Sequence, residues 1–188
     1  YSDIELLQRI IRRLKEGGAK AHRSCGIHIH VDGANHNPKS LRRLVNFMTS
    51  RQDLIYEALE IGDRESSWCH KLNSNLLIAM KKDKDITKEK AEEIWYSRAN
   101  DGYCGGIDHQ HYNTTRYHGV NLHSYFTKGT VEFRLFNSTL HAGKIKAYIQ
   151  FCLAVSAWSI TSQEKIVFRS MAGYTPEQKV TIMRNILT

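Results

Sequence analysis

Apolar and polar positions alternate along this chain with two different periods. Ile4, Leu7, Ile10, Ile11 and Leu14 recur every three or four residues, as on one face of a helix, and Gly17-Gly18 follows as a stop. From Cys25 to Asp32 (Cys-Gly-Ile-His-Ile-His-Val-Asp) the alternation is strict, the two-residue period of a strand. Asn37-Pro38 predicts a second helix, with Asn37 as N-cap and proline at the first helical position. Leu41, Leu44, Val45 and Met48 supply its buried stripe, and 53–59 continues or restarts it. The stretch 62–72 reads as a polar loop and 75–82 as a short helix. Thr87 should cap another helix running to about Asn100, with Ile86 placed to staple onto Ala91.

Residues 101–116 are rich in Gly, His and Asn and read as a loop. A strand is expected over 117–126, a hairpin turn at Thr127-Lys128-Gly129 with glycine at the positive-φ position, and a returning strand over 130–137. A long helix at 142–160 follows, and a last one starts at Thr175-Pro176 with Gln178 in the capping-box position. The expected architecture is α+β: a few antiparallel strands with polar residues on one face and helices packed on the other.

At 188 residues the chain suits one domain, 1–188, with a real core. It is 41% hydrophobic and 24% charged, as soluble globular proteins are. The longest apolar region, 145–160, is broken by Lys146, Gln150 and Ser156, so no membrane helix is expected. The N-terminus reads as an amphipathic helix and not as a signal peptide. Cys25, Cys69, Cys104 and Cys152 are scattered and form no CxxC pair; they read as reduced, which predicts a cytoplasmic protein. Cys152 and Cys25 read as buried thiols. The net charge of +8 suits a polyanion. The lysines and arginines are spread over predicted helix faces, however, where solvation explains them.

Three segments could carry chemistry. On the first strand His28, His30 and Asp32 share a face opposite Ile27, Ile29 and Val31. They could bind a divalent metal or a phosphate, or merely decorate a wet surface. On the strand 130–137, Glu132 and Arg134 stand opposite Val131, Phe133 and Leu135. They read either as an ordinary ion pair or as a magnesium ligand beside a phosphate clamp. Arg116 and Asn121 lie at the entrance to its expected partner strand, where a cation would face a transferring phosphoryl group. A second His-x-His, His109 and His111, lies in the loop and reads as surface.

In this order, Cys25-Gly-Ile-His-Ile-His-Val-Asp32, Arg116-Tyr-His-Gly-Val-Asn-Leu122 and Thr130-Val-Glu-Phe-Arg-Leu-Phe-Asn137 resemble the amidoligase family, relatives of glutamine synthetase and gamma-glutamylcysteine ligase. The resemblance implies an antiparallel sheet of the glutamine-synthetase-like type lining an ATP and magnesium site. It also implies joining of a carboxylate to an amine, free or on a peptide or protein, through an acyl phosphate. By the same resemblance His28, Glu132 and Asp32 would meet metal, and His28, His30, Asn121 and Arg134 the nucleotide. Arg134, Arg116 and Glu132 would carry the chemistry. Such ligases also bear an early Glu-x-Glu strand, which is not found here; Asp3 and Glu5 stand on the predicted first helix. Two other readings stay open: a zinc hydrolase built on the His-x-His strand, and a non-catalytic copy that binds nucleic acid.

Overall fold

The computed structural model describes residues 2–100, 106–163 and 173–187. The chain runs α1 (Ile4–Glu16), β1 (Gly26–Asp32), α2 (Pro38–Ala58), α3 (Ser74–Lys82), α4 (Lys88–Trp95), β2 (Val120–Asn121), α5 (His123–Lys128), β3 (Thr130–Asn137), α6 (Ala142–Thr161) and α7 (Pro176–Leu187). The expected caps form. The Asn37 side chain accepts from the Ser40 amide while the Ser40 hydroxyl accepts from the Asn37 amide. Thr87 caps α4 through the Lys90 amide, and Gln178 accepts from the Thr175 amide at the head of α7.

The fold is α+β, with one three-stranded antiparallel sheet in the order β1-β3-β2. β3 is central, and Val131 through Phe136 are all buried. β1 alternates: Ile27, Ile29 and Val31 are half-buried against the core, while His28, His30 and Asp32 are exposed. The core joins α2 (Leu41, Leu44, Val45 and Ile55, none of them exposed) to Phe133 and Leu135 of β3 and to Cys152 and Val155 of α6. At the three fully sequestered β3 and α2 positions Leu135, Leu44 and Leu41, burial contributes on the order of 2 kcal/mol each.

Five expectations need correction. The stretch 117–126 is not a strand and 127–129 is not a hairpin turn. Only Val120 and Asn121 pair with β3, and the chain then coils into α5. The Tyr-Phe-Thr run has strand composition, yet Thr127 bonds back to the His123 carbonyl and Gly129 closes the helix at φ 72. The α4 helix stops at Trp95, with a short 3-10 turn at Arg98–Asn100. The 62–72 segment is not merely a polar loop, because Arg64, Cys69 and Leu72 are buried in it. Cys25 is exposed, while Cys69 and Cys152 are buried free thiols; Cys104 lies outside the described residues.

Candidate active site

Antiparallel pairing of β1 with β3 sets His30 opposite Glu132, and pairing of β2 with β3 sets Asn121 opposite the same residue. Three strands therefore aim polar side chains at one carboxylate. Glu132 Oε1 accepts from Arg134 at 2.9 Å and lies 3.0 Å from His28 Nδ1; Oε2 accepts from Asn121 Nδ2 at 2.6 Å. His28 Nδ1 also lies 3.4 Å from an Arg134 nitrogen. Both are donors once Nδ1 carries the proton, so His28 donates to Glu132 and the Arg134 approach is a contact only. His30 Nε2 stands 3.5 Å from Oε1, and its Nδ1 meets the Thr130 hydroxyl at 2.8 Å.

Glu132 and Arg134 are each 4% exposed. Burial pushes the Glu132 carboxyl up, but the His28 hydrogen bond, the Arg134 charge and the Asn121 amide outweigh it and hold the group down at about 2. Burial lowers His30 below the ordinary imidazole value despite the pull of Glu132. Arg134 is further fixed by the Trp68 carbonyl at 3.5 Å and by the Tyr117 ring 5.6 Å from its guanidinium.

A cavity of about 140 Å³ adjoins this hub. Glu132 and Asn121 contribute to its lining with Arg116, Lys128, His109 and His123. The α5 correction matters here: His123, Ser124, Thr127 and Lys128 all reach the cavity, which residues spaced by four do on a helix. A strand would have turned alternate members away. The guanidinium of Arg116 donates to the His111 carbonyl and lies against the rings of Tyr112 and Tyr117. Its Nε is buried without a hydrogen-bond partner, and so is Asn121 Oδ1.

The second His-x-His is not mere surface. His109 is held by Glu92 at 2.6 Å, and His109 and His111 both line the cavity. Sequence reasoning missed Lys128, His123 and their orienting partners. The Tyr96 hydroxyl meets His123 Nδ1 at 2.6 Å, and burial first, then Arg116, pull the imidazole down to about 4. A histidine whose folded value lies below its unfolded one near 6.5 is charged more readily in the unfolded chain. Stability is therefore expected to fall as pH drops from about 6.5 to 4, by on the order of 3 kcal/mol. Denaturant melts against pH should show this slope, and His123→Gln should flatten it; an unchanged slope would refute the assignment.

Of the residues expected to act together, His28, His30, Asn121, Glu132, Arg134 and Arg116 are assembled. Asp32 is not: its carboxylate caps the turn after β1 by accepting from the Ala34 amide at 3.0 Å. Among the described residues no group of three or more His, Cys, Asp or Glu forms a metal-holding cluster. Residues 1–156 match the family model described as "Putative amidoligase enzyme". The chain belongs to the amidoligase family. No curated protein and no solved structure matches it. The family match covers every residue of the Glu132 hub and its cavity, together with all three strands.

Proposed function

We propose that this amidoligase is an ATP-dependent carboxylate–amine ligase whose transferring phosphoryl group sits in the cavity beside Glu132. The observation that carries the reading is the convergence of Arg116, Lys128 and Asn121 on the cavity beside Glu132. Arg116 and Lys128 supply positive charge there, and preorganised cations are what a phosphoryl transition state needs. A volume of about 140 Å³ accepts a phosphate but is far below the roughly 300–1,000 Å³ of a site for a whole small molecule. The nucleotide's remainder would lie outside it.

In the proposed reaction a substrate carboxylate takes the γ-phosphoryl of ATP and releases ADP. The amine nitrogen then bonds to the acyl carbon as phosphate and a proton depart. Magnesium would neutralise phosphate charge when bound. Among the described residues no cage for it forms, because Glu132 is the carboxylate that lines the cavity and both its oxygens already accept hydrogen bonds. The ion would arrive with the nucleotide. The protein's own part is to hold Arg116 and Lys128 toward the phosphoryl group and to keep Arg134 charged and immobile behind it. A zinc hydrolase would need three ligands around an open position; both strand imidazoles are instead turned onto Glu132.

The test is ADP release with Mg·ATP and a panel of carboxylates, with and without amines. Arg116→Ala is expected to lower kcat/KM by about 100-fold while far-UV circular dichroism stays as in the wild type. Acceptor-independent ADP release, or an Arg116→Ala variant of full activity, would defeat the proposal.

A further inference from the structure

β3 carries Glu132 toward one end and Asn137 at the other, and a second cavity opens at the Asn137 end. Its volume is about 590 Å³, squarely in the size range of small-molecule sites. Arg23 and Cys25, from the segment before β1, form part of its wall. Glu60, Asp63 and Trp68, from the segment after α2, form another part.

The charges on these walls are of both signs. Glu60 and Asp63 follow the last turn of α2, where the helix dipole also favours a cation. Arg23 supplies positive charge. Arg64 also lines the cavity, but its guanidinium is committed to the carbonyls of Phe136 and Arg134 at 2.7 and 3.1 Å. Trp68 is 52% exposed, an uncommon display of indole, and its ring stands edge-on to Tyr117 at 5.8 Å. Its carbonyl holds Arg134. Trp68 thus borders this cavity and touches the Glu132 hub through Arg134.

We infer that this cavity seats the amine component of the ligase, and that this component is an amino acid. Its ammonium faces Glu60 and Asp63, its carboxylate faces Arg23, and its carbon chain lies on Trp68. The inference rests on the ligase reading for its place in a reaction, though not for the binding itself. Phosphoryl group and amine then approach the hub from opposite ends of β3, and the amine does not compete for Arg116 and Lys128.

Cys25 is exposed and lines the cavity, so it reports occupancy directly. The experiment measures alkylation of Cys25 by iodoacetamide, a neutral reagent, by peptide mass spectrometry without ATP. L-lysine is expected to slow alkylation by about tenfold once it exceeds its dissociation constant by about that factor. Cadaverine, which lacks the carboxylate, and succinate, which lacks the ammonium, should leave the rate unchanged. In the double variant Glu60→Gln/Asp63→Asn, L-lysine should no longer slow alkylation relative to the same variant without it. Absence of protection in the wild type, equal protection by cadaverine or succinate, or protection persisting in the double variant each overturns the inference. Protection without any ADP release in the ligase assay would overturn the ligase reading alone, and ADP release without protection would overturn this site alone.

Discussion

Glu132→Ala is expected to destabilise the protein by about 3–5 kcal/mol and to abolish the proposed ligase turnover. The variant leaves the Arg134 guanidinium, 4% exposed, without its counter-charge, and takes the acceptor from Asn121 Nδ2. Domains of this kind are stable by only about 5–15 kcal/mol, so the loss is a large fraction of the whole. In thermal melts it corresponds to roughly 2–4 °C per kcal/mol for a chain of this size. The charge can be separated from the shape with Glu132→Gln. Because the folded carboxyl sits at about 2 against an ordinary value of 4.5, its ionised form stabilises the fold above about pH 4.5. That contribution, on the order of 3 kcal/mol, is lost as pH falls from about 4.5 toward 2. Urea melts across this window should be steeper in pH for the wild type than for Glu132→Gln. Coincident profiles, or an alanine variant as stable as the wild type, would show that the hub is not an electrostatic unit.

The second large effect is expected at Arg64, a residue that touches no proposed substrate phosphate. Its fork bridges the Phe136 carbonyl at 2.7 Å, the Arg134 carbonyl at 3.1 Å and the Asn137 side chain at 3.2 Å. It also fills the space over Gly26, where a Cβ would collide with the guanidinium. Arg64→Ala strands two buried carbonyls and opens a void at the far end of β3. With charged hydrogen bonds contributing about 1.5–3 kcal/mol each, a loss of roughly 3–5 kcal/mol is expected. Arg64→Lys should recover only part of it, since a point ammonium cannot span carbonyls two residues apart as a planar fork does. Chemical denaturation of the three proteins decides the matter. A lysine variant equal to the wild type would show that the residue supplies charge and not geometry.

Much of the site follows from local rules that a sequence displays directly. The two-residue period of a strand puts His28 and His30 on one face of β1, and Glu132 and Arg134 on one face of β3, whatever the rest of the chain does. The caps at Asn37, Thr87 and Thr175 are equally local, because each side chain serves an amide two or three residues away. The apolar stripe of α2 announced a core in the same way.

What tertiary structure decided was which distant groups meet. His28 and Arg134 stand 106 residues apart in sequence, and only the β1–β3 register brings His28 to the Glu132–Arg134 pair. Asp32 shares the face of His28 by periodicity, yet the chain bends immediately after it, and its Oδ1 accepts from the Ala34 amide. Strand-like composition at 122–128 lost to the geometry of joining β2 to β3, so a helix and not a hairpin carries Lys128 and His123 into the cavity. Arg64 lies in a stretch that reads as a polar loop, and nothing near it in sequence needs it; the carbonyls it bonds lie about 70 positions away. Period and capping are properties of neighbouring residues, and pairing, burial and charge compensation belong to the folded chain.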